Sequence, residues 1–227
     1  MPSKPESPRH RWPSLDLCRY NFPGFLRWSV VNSISFLLAV QVFYYASAIT
    51  LVVTFLDQST PARDASYVIG ALLLLTAAIP LVGALIGLIL GAYQCQLLHQ
   101  FGVKRNTWLL AATAGAAGGY GYFVYSQFVR AYLAGLQSLF DPSLFQCIVA
   151  AAVMCTGIWY VFHRYRLSSA LWIGTTIVAL GAAIYAAYAL RHAVLVVLAA
   201  TLAIGIVYSA LLYRSLALMH RRSSAKI

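Results

Sequence analysis

The strongest constraint on this chain is a series of six long stretches that contain no charged residue and no histidine. A helix needs about 20 apolar residues to cross the roughly 30 Å hydrocarbon core of a bilayer, and each stretch reaches or approaches that length. The stretches cover residues 28–56, 67–98, 107–129, 144–162, 170–190 and 193–213. We therefore predict an all-α polytopic membrane protein with six transmembrane helices.

Composition supports a chain solvated mainly by lipid. Hydrophobic residues make up 61% and charged residues 9% of the sequence, whereas a soluble domain carries about 25% charged residues. This excludes a nucleic-acid-binding domain, in spite of the net charge of +11.

The four cysteines form no C-x-x-C pair, and we interpret them as small buried hydrophobic residues. The predicted partners are the lipid bilayer and other membrane protein subunits, with no nucleic acid.

The basic residues predict how the helices are oriented. If both termini are cytoplasmic, thirteen of the 16 basic residues lie on the cytoplasmic side, as the positive-inside rule requires. The entire net charge then lies on that side, and the outer loops are balanced. We predict cytoplasmic N- and C-termini, in a bacterial inner membrane. The charged residues placed outside are Arg63, Arg130, Arg191, Asp57, Asp64 and Asp141.

The predicted organisation has three parts. Residues 1–27 form a cytoplasmic arm, and within it bulky apolar residues alternate with arginines over residues 10–27, a pattern typical of a segment lying among anionic headgroups. An arm that docks on a partner subunit is the alternative. Residues 28–213 form the six-helix transmembrane domain, and residues 214–227 form a basic cytoplasmic tail. Asp141, followed by Pro142, is predicted to cap the fourth helix.

Small residues recur every fourth position on two neighbouring predicted helices. Such stripes let helix backbones approach closely within a membrane. The alternative is a flexible or broken helix that lines a substrate path. We favour helix packing, because the spacing is regular. The residues are Gly83, Gly87 and Gly91 on the second helix and Ala111, Gly115 and Gly119 on the third.

A shift of 64 residues places helices 2 and 3 on helices 4 and 5. His99 then matches His163, and Trp108 matches Trp172, without gaps. Because the shift spans an even number of crossings, the two helix pairs would form a parallel repeat, unlike the inverted repeats of many transporters.

The stretch around residues 83–118 resembles a family signature. Its elements are Gly87-x-x-x-Gly91-x-x-Gln94, then Leu98, a basic loop, and a helix that begins with Trp108 and continues with Ala112, Thr113 and Gly115. It is similar to uncharacterised polytopic membrane proteins common in cyanobacteria. The chain departs from that pattern in its short loop and in having His99 where a basic residue is usual. The resemblance implies a membrane fold and no particular activity.

Catalytic chemistry is not indicated. The predicted spans carry no ionisable group of the kind that marks proton relays and ion paths, and no H-E-x-x-H, G-x-S-x-G or Walker sequence occurs. We do not expect an enzyme that acts alone.

His99 and His163 end their helices and are candidate axial ligands for haem or chlorophyll. The alternative, which we favour, is that each complements the negative end of its helix.

Uncharged polar residues within the spans have two interpretations. Buried amides commonly hydrogen-bond between helices, and tyrosines near a helix end commonly form an interfacial belt. The same side chains would suit a cavity for a hydrophobic or aromatic solute. The candidate cavity-lining residues are Gln94, Tyr122, Tyr125 and Gln127.

Two functions therefore remain open. One is a non-catalytic integral subunit that packs in, or scaffolds, a larger membrane complex. The other is a small permease or a component that binds lipid or a hydrophobic solute. The lack of any chemical site favours the first.

Overall fold

A computed structural model describes residues 22–55, 65–99, 102–134, 141–165, 167 and 170–224. These residues form six α-helices, which confirms the predicted all-α class and places one helix in each uncharged stretch. The helices are α1 (Phe22–Phe55), α2 (Ala65–Leu98), α3 (Arg105–Ala134), α4 (Leu144–Arg164), α5 (Ala170–Ala189) and α6 (Val194–Ser224).

The first and last helices of the chain extend beyond the predicted transmembrane domain. Helix α1 begins at Phe22, inside the predicted arm, and α6 continues to Ser224, inside the predicted tail. Residues 1–21 and 225–227, which make up the rest of the arm and tail, lie outside the described residues.

Four of the described helices are long and apolar enough to span a membrane. The qualifying segments are Phe25–Val52, Leu144–Arg164, Ala170–Ala189 and Val194–Ser215. Helix α2 contributes a shorter apolar segment, Thr76–Ala92. Helix α3 is less hydrophobic because it is rich in glycine and tyrosine. Since α3 packs against both α2 and α4, two of its faces contact protein instead of lipid.

The helices form a closed ring. Each packs against its neighbour in the sequence, and α6 packs back against α1. Helix α1 also contacts α3 and α5, so it lies toward the inside of the ring. Short connections between consecutive helices make neighbours antiparallel.

The two ends of the ring differ in charge. One end, which we call the basic end, carries Arg27, Lys104, Arg105, Arg164 and Arg214 and no acidic residue among those described. At the opposite end Arg191 forms an ion pair with Asp141 at 2.8 Å, and Arg130 donates to the Asp141 carbonyl oxygen at 2.7 Å. Both bonds hold the connection before α4 against α3 and α5.

Glycines mark the closest approach between α2 and α3. A Cβ atom added at Gly83 would overlap the Cα of Ala117, and one added at Gly87 would overlap the Cα of Thr113. At Gly91 the nearest atom to such a Cβ is the Cβ of Ala112 at 3.2 Å, so the helices diverge slightly toward the basic end. Close backbone contact maximises dispersion between helices that have no hydrophobic driving force in lipid.

Helix α4 approaches another face of α3 in the same way. A Cβ atom at Gly115 would overlap the Met154 carbonyl oxygen, and one at Gly157 would overlap the Ala111 carbonyl oxygen. Gly119 lies against Met154 and Ala150. Ala111, Gly115 and Gly119 therefore contact α4, whereas the glycines of α2 contact other positions of α3. The two stripes that the sequence suggested do not face each other.

The start of α4 differs from the prediction. Its N-cap is Ser143, and not Asp141. The Ser143 hydroxyl accepts from the Gln146 backbone N–H at 3.2 Å, and the Gln146 side chain accepts from the Ser143 N–H at 2.9 Å. This reciprocal capping box satisfies two donors that the first turn of a helix leaves open. Asp141 instead pairs with Arg191.

Gly102 terminates α2 at the basic end. Its φ of 79° lies in the left-handed region that favours glycine. The Gly102 N–H donates to the His99 carbonyl at 3.0 Å and the Val103 N–H donates to the Leu98 carbonyl at 3.3 Å. This is the pattern of a Schellman motif, which pairs the last carbonyl groups of a helix.

Tyr165 joins the two connections at the basic end. Its hydroxyl accepts a hydrogen bond from the Lys104 N–H at 3.3 Å, and this bond lowers the pKa of Tyr165 because it stabilises the phenolate.

Cys95, Cys147 and Cys155 are buried and unbridged, as predicted. Cys18 lies outside the described residues.

Candidate functional site

A network of uncharged polar side chains lies inside the ring, in the half nearer the basic end. It joins α1, α2, α5 and α6, and every member is at most 2% exposed. Burial of this many polar groups is costly unless they hydrogen-bond to one another. The members are Asn32, Ser33, Gln94, Thr176, Tyr208 and Ser209.

The part of the network between α1 and α6 has short hydrogen bonds. The Asn32 amide nitrogen donates to Ser209 Oγ at 2.8 Å, and the Ser33 and Ser209 hydroxyls lie 3.1 Å apart. Both serines also reach backbone carbonyls of their own helices, at 2.6 Å for Ser33 and 2.7 Å for Ser209. Asn32 therefore connects the first and last helices of the chain directly.

The part of the network that extends to α2 and α5 is looser. Gln94 Nε2 lies 3.4 Å from Asn32 Oδ1 and 3.3 Å from the Tyr208 hydroxyl. The Tyr208 hydroxyl lies 3.4 Å from Thr176 Oγ1. Hydrogen bonds in proteins have most common lengths of about 2.7 to 3.0 Å, so these three contacts are all long.

The number of available hydroxyl and amide protons determines which group donates in each of these long contacts. The single hydroxyl proton of Thr176 goes to the Trp172 carbonyl oxygen at 2.8 Å, so Tyr208 must be the donor toward Thr176. The Tyr208 oxygen in turn accepts one of the two amide protons of Gln94, and the other points to Asn32. The donors therefore run from Gln94 through Tyr208 to Thr176.

A small cavity adjoins the loose part of the network. It lies between α2, α3, α4, α5 and α6, and its volume of about 20 Å³ is room for one water molecule. Its polar lining consists of Gln94, Thr176 and Tyr208, together with Trp108. Met154 and Cys155 contribute sulfur-bearing side chains, and the remaining lining residues are glycine, alanine, leucine and isoleucine.

The glycine spacing of α2 shapes one wall of the cavity. Gly87 and Gly91 both line it, one turn apart and next to Gln94. The indole nitrogen of Trp108 donates to the Gly91 carbonyl oxygen at 3.1 Å, which ties α3 to α2 at this level. Because glycine has no side chain, the space beside Gln94 stays open while the two helices remain in contact.

Buried aromatic clusters lie on both sides of the cavity along the ring axis. Toward the basic end Trp108, Phe162 and Trp172 pack together, with ring centroids 5.4 Å apart for Phe162 and Trp172 and 6.5 Å apart for the two tryptophans. Toward the other end Phe43 packs edge-on against Tyr120 at 5.6 Å. The fully buried rings of the second cluster are Phe43, Tyr120, Phe123 and Tyr188.

Of the four predicted cavity-lining residues, Gln94 lines this cavity and the other three do not. Tyr125 is half-buried on the side of α3 that meets α2, where its hydroxyl is 2.9 Å from Thr76 Oγ1. Tyr122 is half-buried. Gln127 is fully buried, and within the described part of the chain neither of its amide atoms has a hydrogen-bond partner. The sequence grouped residues that the fold places near different ends of the bundle.

Sequence reasoning did not identify Thr176 and Tyr208 as site residues. Both are buried and line the cavity, but hydroxyl-bearing residues occur throughout the predicted spans. The chain contains 15 tyrosines, so residue type could not single out Tyr208. Thr176 and Tyr208 lie at matching depths of α5 and α6. This match can be recognised only when it is known that α5 and α6 pack against each other.

The two histidines lie outside the network. His163 is exposed and its ring stacks on Trp159, with centroids 5.5 Å apart and planes at 16°. His99 is also exposed, at the end of α2. In the described segments no three His, Cys, Asp or Glu side chains are grouped so as to hold a metal ion.

The site therefore offers neutral hydrogen-bonding groups and no acid or base, since none of its lining residues is charged or a histidine. Such a lining suits a small uncharged guest.

Comparisons of this chain with protein-family models, with curated proteins and with solved structures find no match.

Proposed function

We propose that this protein is a non-catalytic integral membrane subunit that packs in, or scaffolds, a larger membrane complex. The observation that carries the proposal is the close packing of the described helices along the ring axis. Helices meet at glycine contacts, aromatic clusters occupy two levels of the axis, and the cavity between them has room for one water molecule. We therefore place the contacts with partner subunits on the outer faces of these helices.

The outer surface supports this proposal by its composition. Exposed large hydrophobic side chains occur on all six helices, among them Leu81 at 74% and Leu195 at 81% exposure. These faces are suited to lipid and to the helices of other membrane proteins. The resemblance of residues 83–118 to proteins common in cyanobacteria is compatible with a photosynthetic or respiratory assembly.

Within the proposal all six helices cross a bacterial inner membrane and both termini are cytoplasmic. The clustering of Arg27, Lys104, Arg105, Arg164 and Arg214 at one end supports this orientation. We expect fluorescence from a green fluorescent protein fused after Ile227, and no activity from alkaline phosphatase fused at the same position. An active phosphatase fusion would place the C-terminus outside and refute this topology.

The parallel repeat also remains a proposal. It is supported by the contact between the matched Trp108 and Trp172 rings. It is further supported by the close approach of Gly83 to Ala117 and of Gly181 to Ile148, since a shift of 64 residues carries the first pair to within one residue of the second. Superposition of α2–α3 on α4–α5 in an experimental structure tests it, and different helix crossing angles would reject it.

The subunit proposal is tested by purification from the native membrane in a mild detergent. We expect the protein to copurify with other membrane proteins in a fixed ratio, measured by native mass spectrometry. A photo-crosslinking amino acid at Leu81, Leu110 or Leu195 should then yield a defined crosslink from the helix face that contacts the partner. A lone, monodisperse protein that crosslinks only to lipid at every exposed position would contradict the proposal.

A second candidate is a small permease or a component that binds a lipid or other hydrophobic solute. The neutral polar groups of Gln94 and Tyr208 favour it, because they would face an uncharged solute if the surrounding helices separated to widen the one-water cavity. This candidate predicts a lone protein whose thermal midpoint rises with a particular solute. Gln94→Leu should abolish that rise, whereas Gln127→Leu, outside the cavity, should preserve it.

A further inference from the structure

The central cavity combines three features that together indicate a ligand. Its volume of about 20 Å³ exceeds the roughly 10 to 15 Å³ that one water molecule requires. Gln94, Thr176 and Tyr208 line it, which meets the need of a buried water for two to four polar partners. The contacts that join these three side chains are 3.3 and 3.4 Å long, so a water molecule between them can replace long direct bonds by hydrogen bonds of ordinary length.

We propose that one ordered water molecule occupies this cavity and bridges Gln94, Tyr208 and Thr176. In this position the water accepts a hydrogen bond from Gln94 Nε2 or from the Tyr208 hydroxyl in place of a long direct contact, and it donates a hydrogen bond to Thr176 Oγ1. It thereby joins α2, α5 and α6, and through Gln94 and Asn32 it extends the network to α1.

The chemistry of the lining distinguishes water from other small guests. The lining residues carry no charge, so neither a cation nor an anion would be compensated for its loss of hydration. An apolar guest would leave the polar groups of Gln94, Thr176 and Tyr208 without added partners. A cavity lined only by apolar groups stays dry, but this one presents three groups that hydrogen-bond.

The site also accounts for the glycines of α2 at this level. A Cβ atom built on Gly91 would lie 3.2 Å or more from its nearest neighbours. The contact with α3 is therefore looser at Gly91 than at Gly83 and Gly87. The helices therefore separate slightly next to Gln94, and the volume of the cavity arises at this separation. The water lies beside α2 at the level where the direct backbone contact of α2 with α3 ends.

Radiolytic hydroxyl-radical labelling of the full-length protein in lipid nanodiscs tests the proposal. A bound internal water generates radicals where it lies, so neighbouring side chains are oxidised even when a scavenger removes radicals from bulk solvent. Cys155 lines the cavity and is 1% exposed, whereas Cys147 on the same helix is 0% exposed and does not line it. The two thiols have the same chemistry, so Cys147 is a matched internal control.

We expect Cys155 to be oxidised at least about five-fold faster than Cys147 with scavenger present, because only Cys155 adjoins the buried water. Equal rates for the two thiols would overturn the proposal. Tyr208→Phe removes the central hydroxyl and should reduce labelling of Cys155 to nearly the level of Cys147. Tyr188→Phe, which removes a buried hydroxyl bonded to Ser47 away from the cavity, should leave the labelling unchanged.

A Tyr208→Phe protein that labels like the wild type would also overturn the assignment. If that variant does not fold, Ala116→Val serves in its place, since Ala116 lines the cavity and two added methyl groups would fill it. The outcome is independent of the subunit proposal, because the labelling ratio depends on the interior of the ring and not on copurifying partners.

Discussion

Gly83→Ala is expected to destabilise the protein by about 2 to 3 kcal/mol, the upper part of the range for overpacking a filled interior. The new Cβ would overlap backbone and side-chain atoms of Ala117, and a backbone cannot move aside as a flexible side chain can. Helices α2 and α3 would have to separate along the contact that continues to Gly87. Reversible unfolding in mixed micelles with increasing dodecyl sulfate measures the change.

Gly70→Ala is the matched control, because Gly70 lies on the same helix and a Cβ there meets nothing within 4 Å. Alanine has the higher helix propensity by about 1 kcal/mol in water, so this variant should be unchanged or slightly more stable. Opposite signs for the two substitutions would show that contact with α3, and not helix propensity, decides the result. Equal effects would mean that α2 and α3 do not pack at Gly83.

The second large effect is expected from the hydrogen bonds between α1 and α6. Ser209→Ala should cost about 1 kcal/mol, within the range measured for interhelical hydrogen bonds in membranes. The substitution leaves the Asn32 amide without its 2.8 Å acceptor in a site that is at most 2% exposed. Asn32→Ala should cost about 2 kcal/mol, because it also removes the acceptor for Gln94 and a buried side chain.

Ser215→Ala provides the control on the same helix. Ser215 is also buried, but its hydroxyl donates to the Leu212 carbonyl of α6 itself at 2.9 Å, so its loss should change stability by less than about 0.5 kcal/mol. In a double-mutant cycle Asn32 and Ser209 should be coupled by about 1 kcal/mol. Additive losses would contradict a direct bond between the two side chains.

Much of the fold was predictable, because helix formation and burial in lipid depend on local composition. The charge-free stretches correctly located all six helices, since each run of apolar residues must satisfy its own backbone hydrogen bonds in a membrane. The cap of α4 was misplaced by two residues. Asp141 and Ser143 are both good N-cap residues, and only the pairing of Asp141 with Arg191 removed the aspartate from that role.

The site was predictable only in part. Gln94 was named because an amide within a membrane span either hydrogen-bonds to a neighbouring helix or lines a cavity. Tyr125 and Gln127 were named with it because they are uncharged polar residues within a predicted span, a criterion that does not specify which neighbour a side chain meets. The faces of α3 that carry these residues are determined by its contacts with α2 and α4, which no periodicity within α3 alone could assign.

The sequence by itself determined the class of this protein, the position of its helices and the asymmetric placement of its charge, because these follow from hydropathy and spacing along one chain. The tertiary structure decided which glycines meet which helix, and that Asn32, Gln94, Thr176 and Tyr208 belong to one network. Those residues are separated by up to 176 positions, from Asn32 to Tyr208. A hydrogen bond between them depends on distances of a few ångströms, which arise only when α1, α2, α5 and α6 pack into a closed ring.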